Sequence, residues 1–149
     1  MFLVDTNVLV YAADDTAGEQ EACRAQLETW RRGATPWHLT WNVIYEFLRV
    51  TTHPRVLRHP RTSDQAWSFM AAVLASPSCS VLLPTDGHEA VLRTLLDEVG
   101  ASVRGNVLHD AQTAVLMREH GLRRIVTRDT DFHRFPGLEV VDPLATDTG

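Results

Sequence analysis

Phe2, Leu3 and Val4 form a short apolar run that ends in Asp5-Thr6-Asn7, and the apolar stretch Val8 to Ala13 follows. This order predicts a strand, a cap and a helix. Residues 17–32 set Ala22, Leu27 and Trp30 among Glu, Gln and Arg, with Gly33 as a stop, which predicts an amphipathic helix broken by Thr35-Pro36. A strand at Trp37 to Thr40 then precedes a helix at Trp41 to Thr52, where Val43, Phe47 and Val50 keep helical spacing until His53-Pro54. Further helices are expected at Ser63 to Ala75, at Asp86 to Val99 closed by Gly100, and at Val107 to His120 closed by Gly121. Strands are expected at Cys79 to Leu83, at Arg124 to Thr127 and, on an edge, at Leu138 to Val141. Strands alternating with helices predict right-handed crossovers and a three-layer α/β/α sandwich around a mainly parallel sheet. No repeat or linker interrupts the pattern, so 1–149 reads as a single domain with a tail loosely ordered after about residue 143.

Composition narrows the class. A chain of 149 residues, 44% of them hydrophobic, supports one core and leaves little room for two. Its apolar runs, Val81-Leu82-Leu83 among them, fall far short of the ~20 residues that span a bilayer. Met1-Phe2-Leu3-Val4-Asp5 reaches a carboxylate without the charged and apolar regions of a signal peptide, so a cytoplasmic protein without membrane association is expected. Cys23 and Cys79 lack ligand spacing, and the seven histidines show none either, which predicts reduced core thiols and no zinc site. All 14 basic residues are arginine, so any mechanism that needs a lysine is excluded. The 19 acidic residues leave a net charge of −5, at first sight unfavourable for binding nucleic acid.

The chemistry lies in acids placed against the hydrophobic pattern. Asp5 follows the first strand, where ligands collect in open parallel sheets, although capping the next helix is an equal alternative. Glu46 shares a helical face with Val43 and Val50, and pairing with Arg49 is its plainer role. Asp110 shares a face with Val107, Ala114 and Met117 in the first turn of its helix, a position also common for simple capping. Asp129 and Asp131 follow the fourth strand in Thr127-Arg128-Asp129-Thr130-Asp131-Phe132, which also reads as a surface turn. Each acid alone is weak, but all can converge at one end of a parallel sheet. Clustered carboxylates persist only with a neutralising cation or retained protons. Oxygen ligands without Cys or a His cluster suit Mg²⁺ or Mn²⁺, ions that meet phosphate oxygens, and point to hydrolysis at phosphorus.

These residues resemble the PIN-domain ribonucleases, and within them the VapC-type toxins of bacterial toxin–antitoxin pairs. The resemblance spans nearly the whole chain and rests on Phe2-Leu3-Val4-Asp5-Thr6-Asn7-Val8-Leu9, on Glu46, on His109-Asp110-Ala111, and on the Thr127 to Phe132 run. It implies a PIN-like fold and a Mg²⁺-dependent endoribonuclease, with Mn²⁺ as a possible substitute, that leaves a 5′-phosphate and a 3′-hydroxyl. Asp5, Glu46, Asp110 and Asp129 would be catalytic, with Asp5 and Asp110 as metal ligands and Thr127, Asp131 and Asn7 in support. The resemblance also implies a homodimer restrained by a small cognate antitoxin. A stand-alone RNA-processing nuclease and a non-catalytic RNA- or protein-binding module are the alternatives.

RNA needs positive charge as well as metal. Between Arg49 and Arg61 there are Arg49, Arg55, Arg58 and Arg61, with His53 and His59 and no acid, so this stretch is either an RNA guide or a solvated loop. Trp37 and Trp41 are candidates for stacking on bases or for core and dimer contacts. A receiver domain also carries acids at strand ends, but its phosphate site uses a lysine. A dehalogenase-type phosphatase wants a second acid where this chain has Asn7. The five acids beside the site account for the whole excess of 19 acids over 14 arginines, which makes the charge of −5 local.

Overall fold

The strands β1 (Phe2–Val4), β2 (Trp37–Thr40), β3 (Cys79–Leu82), β4 (Arg124–Val126) and β5 (Glu139–Val141) form one sheet in the computed structural model, which describes residues 1–145. Their spatial order is β3-β2-β1-β4-β5, and every pairing is parallel. Leu3 lies opposite His38 on one side and Ile125 on the other, so β1 is central. Among the described residues six helices connect the strands: α1 (Thr6–Ala13), α2 (Gln20–Arg32), α3 (Trp41–Thr52), α4 (Ser63–Leu74), α5 (His88–Val99) and α6 (Val107–Glu119).

The period-two alternation of the strands divides the interior into two cores. Phe2, Val4, Trp37, Leu39 and Val126 face one way and pack with Val8, Leu9, Leu27, Phe47 and Met70 from α1 to α4. Leu3, Leu82 and Ile125 face the other way and pack with Leu95 of α5 and with Ala114 and Met117 of α6. A strand covered on both faces needs apolar residues at successive positions, which is why β1 reads as an unbroken hydrophobic run. Trp37 is fully buried in the first core, so it serves as a core residue and is closed to bases.

Helix ends follow local chemistry. The Thr40 hydroxyl accepts from the Val43 N–H at 3.1 Å and caps α3. Gly121, at φ 69°, closes α6 in the left-handed conformation that the sequence suggested. Gly33 closes α2 by another route: its backbone is extended, and a Cβ there would stand 3.1 Å from the Thr29 carbonyl oxygen. Two short 3-10 turns, Gly100–Ser102 and Thr130–Arg134, have no counterpart in the hydrophobic pattern. Pro143 is buried and its carbonyl accepts from Gln26 Nε2, while Leu144 packs on the first core. The rest of the expected tail, 146–149, lies outside the described residues. Among the described residues no helix is long and apolar enough to cross a membrane.

The chain leaves β1 toward β2 and β3 on one side and returns to β4 and β5 on the other. Connections therefore diverge at the carboxyl ends of β1 and β4, and such a switch point opens a crevice suited to a ligand.

Candidate active site

Asp5 sits at that switch point, 8% exposed, as the cap of α1. Its Oδ1 accepts from the Thr6 N–H at 2.8 Å, and its Oδ2 accepts from Thr127 Oγ1 at 2.7 Å and Asn7 Nδ2 at 3.2 Å. Asn7 braces the same corner, because its amide also donates to Thr127 Oγ1 at 3.0 Å and its Oδ1 accepts from the Arg128 N–H at 3.2 Å. Thr127 in turn accepts from the Asp129 N–H at 2.9 Å. The segment after β1 and the segment after β4 are thus tied together by side chains, and the Thr127–Asp5 bond is buried, which makes it costly to break.

Asp129 caps the Thr130–Arg134 turn, its Oδ1 accepting from the Asp131 N–H at 2.8 Å. That turn brings Asp131 round beside Asp129, while α6 presents Asp110 from its first turn. Asp110, Asp129 and Asp131 each offer an oxygen within 4.8 Å of the others. Glu46 approaches from α3, its Oε2 accepting from Thr6 Oγ1 at 3.0 Å and its Oε1 lying 3.8 Å from Arg49. Glu46 thus lies beside Arg49 and lines the same cavity as the other acids.

Two adjoining cavities expose this group. One of about 690 Å³ is lined by Glu46, Asp110, Asp129 and Asp131 together with Asn42, Tyr45, Arg49, Asn106, Val107 and His109. The other, of about 310 Å³, shares Glu46, Asp110 and Asp129 and adds Asp5, Thr6 and Asn7. Asp131, expected only in support, belongs to the tight triad, whereas Asp5, expected as a ligand, does not. Asp5 has its oxygens engaged by Thr6, Asn7 and Thr127 and meets Asp110 and Asp129 across the smaller cavity.

The electrostatics are strained. Burial, reinforced by Glu46 and Asp129, raises the Asp5 carboxyl to about 6 even though the Thr127 and Thr6 bonds pull it down. Burial and then the charges of Asp129, Asp5, Asp131 and Glu46 raise Asp110 to about 7. Such a group is relieved by bound positive charge, and its all-oxygen donor set suits a hard divalent cation. The thiols take no part: Cys23 is buried, and burial pushes Cys79 up to about 12, which leaves little thiolate.

A family model described as PIN domain matches residues 2–138, nearly the whole described chain. The chain belongs to the PIN-domain family. Within that family its relatives are VapC ribonucleases. It is 30% identical over 141 residues to Ribonuclease VapC48 of Mycobacterium tuberculosis, covering 95% of this chain and 96% of the relative. It is 34% identical over 144 residues to Ribonuclease VapC43 of the same species, covering 97% and 96%. The fold matches VapBC2 from Rickettsia felis, solved bound to a DNA fragment from their promoter, with a TM-score of 0.67 over 93% of this chain and 96% of that one at 17% identity.

In this PIN domain the four arginines separate. Arg49 lines the larger cavity, whereas Arg55, Arg58 and Arg61 line neither acidic cavity. Arg61 is held within the fold, donating from Nη2 to the Ala13 carbonyl at 2.8 Å and lying 5.6 Å from the Phe69 ring centroid. Asn42, Tyr45 and His109 line the PIN cavity although the sequence did not single them out for it. Asn42 precedes Glu46 by one helical turn, a signal that was present. His109 is brought in by the helix start, where Asn42 Nδ2 donates to its carbonyl at 3.5 Å.

Proposed function

We propose that this PIN-domain chain is a divalent-metal-dependent endoribonuclease of the VapC group, working as the toxin of a toxin–antitoxin pair. The observation that supports this reading most is the convergence of Asp110, Asp129 and Asp131, with Asp5 and Glu46 facing them, at the switch point of a parallel sheet. Asp110, Asp129 and Asp131 would hold the cation, with Asp5 on the opposite wall, and Mg²⁺ is the ion of choice, with Mn²⁺ as a substitute. When bound, the cation supplies Lewis-acid chemistry, making water more acidic and offsetting charge on the phosphate oxygens.

The protein's own groups do the rest. Asp5 and Asp110 retain protons easily without a cation and shed them when positive charge arrives. Thr127 and Asn7 fix the rotamer of Asp5, so the crevice is shaped before substrate enters. Glu46, at the seam of both cavities, is the carboxylate placed to receive a proton from the attacking water. Arg49, and further out Arg55 and Arg58, supply the charge that holds RNA phosphates. The names of its VapC and VapBC relatives support a cognate antitoxin as partner, and the chain would act as a homodimer.

The test is incubation of the purified protein with total RNA and Mg²⁺ or Mn²⁺ beside Asp5→Asn and Asp110→Asn variants. The expected result is cleavage by the wild type only, with 5′-phosphate and 3′-hydroxyl ends, abolished by chelation. Equal cleavage by all three proteins would assign the activity to a contaminant and sink the proposal.

A further inference from the structure

Three large aromatic side chains are strongly exposed among the described residues: Trp41 at 46%, Tyr45 at 70% and Trp67 at 46%. Rings of this size normally sit in a core or at a contact surface, so three on one face call for a cause. They are not scattered. Trp41 and Tyr45 lie one turn apart on α3 with ring centroids 6.4 Å apart, and Trp67 projects from the neighbouring α4. Tyr45 and Arg49 line the 690 Å³ acidic cavity, and the same two residues line a second groove of about 510 Å³ with Leu48, Thr52 and Trp67. The groove is therefore continuous with the acidic cavity across Tyr45 and Arg49. One acid, Asp64, also borders it, at the start of α4.

We infer that this groove is a stacking track for unpaired bases, which carries single-stranded RNA from Trp67 over Tyr45 into the acidic cavity. The inference rests on the reading of that cavity as an RNA-cleaving centre. The physical match has three parts. A single strand presents base faces that stack on aromatic rings without regard to sequence, and it presents phosphates at regular intervals beside them. Arg49, with its side chain 66% exposed, lines both cavities with Tyr45 and lies 3.8 Å from Glu46, where a phosphate would need a counter-charge. Asn42, on the same face of α3, adds an amide that can hydrogen-bond a base edge. A duplex hides its base faces, so such a track selects loops and unpaired ends.

The test pairs a protein change with an RNA change. Tyr45→Ala is chosen because the side chain is exposed and its loss leaves the core intact. A single-stranded oligoribonucleotide is compared with the same oligomer carrying abasic sites beside the cleaved bond, and kcat/KM and binding by fluorescence anisotropy are both read. Either change alone is expected to weaken the wild-type value by about 10-fold, with Tyr45→Phe close to wild type. The two changes together are expected to cost little more than either alone, because they remove the same stacked pair. Independent, multiplying losses, or no loss from Tyr45→Ala, would overturn the stacking track. A variant whose RNA binding is unchanged but whose mass in sedimentation falls would assign the face to a second protein copy and also overturn it. RNA binding without cleavage by the wild type would refute the nuclease reading alone, and the anisotropy comparison would still decide the track.

Discussion

Thr127 donates its hydroxyl proton to Asp5 across 2.7 Å, although 122 residues separate the two in sequence. The bond joins the carboxyl ends of the two central strands, and the same oxygen of Thr127 accepts from Asn7 and from the Asp129 N–H. One hydroxyl therefore sets Asp5 and Asp129 at once. Replacing it by Thr127→Val keeps the shape but removes the shortest of the three bonds to the buried Asp5 carboxylate and leaves the Asp129 N–H without its acceptor, at a cost of about 1–3 kcal/mol. Chemical denaturation should show that loss together with a fall in RNA cleavage, and Thr127→Ser should recover most of both. Full activity in Thr127→Val would show that the bond does not position Asp5.

Arg134 makes two bonds that bridge the site to the loop before α6. Its Nη2 donates to Asp131 Oδ1 at 3.0 Å, and its Nη1 donates to the Ser102 carbonyl at 3.0 Å. Both partners are well exposed, so the pair contributes under about 1 kcal/mol to stability. Its effect on position is larger, because a guanidinium holds two acceptors in fixed geometry where an ammonium cannot. Arg134→Gln and Arg134→Lys should both unfold near the wild-type temperature yet weaken Mn²⁺ binding, read by calorimetry. Unchanged metal affinity in both would remove Asp131 from the cation site.

The arginine-rich stretch divides by role. Arg61 is tied to the Ala13 carbonyl and to Phe69, so Arg61→Ala should lower stability. The Arg55→Glu/Arg58→Glu double variant should instead fold normally and bind RNA more weakly. The slope of log affinity against log salt should shrink by about one for each phosphate that is no longer neutralised. Equal RNA affinity at low salt would return both arginines to the solvated surface.

The sheet was legible because its signals are local: β1 is covered on both faces and shows it in three successive apolar residues, and Asp5-Thr6-Asn7 follows with the chemistry of a cap. The placement of Asp131 was not legible, since it depends on the 3-10 turn at Thr130–Arg134 that rotates its carboxylate beside Asp129, and short turns have no hydrophobic period. The separation of Asp5 from the tight triad was hidden for a related reason. The resemblance put Thr127 and Asn7 in support of the site, but sequence spacing does not show that both donate to Asp5 and occupy its oxygens. Trp37 and Trp41 flank one short strand, and only the packing of Trp37 under α2 separates a core residue from an exposed ring.

The raised carboxyls make a prediction about stability as well as chemistry. Asp5 at about 6 and Asp110 at about 7 both lie above the ordinary 3.8, so between pH ~4 and ~7 the folded chain holds more protons than the unfolded one. Stability from these groups is then present in acid and is lost as pH rises through that window. Without divalent ions, Asp110→Asn should therefore be more stable than wild type at pH 8, and the two should converge as the pH falls to about 4. The full shift of Asp110 would amount to several kcal/mol, but water and salt reach the open cavity, so a gain of about 1–2 kcal/mol is expected. In a chain of this size that is ~3–6 °C in the unfolding midpoint. Adding Mg²⁺ at pH 8 should raise the wild type toward the variant and leave the variant nearly unmoved, because a bound cation supplies the charge that the substitution makes unnecessary. A wild type that loses no stability between pH 5 and pH 8 in chelator would show that the acids are not strained against one another.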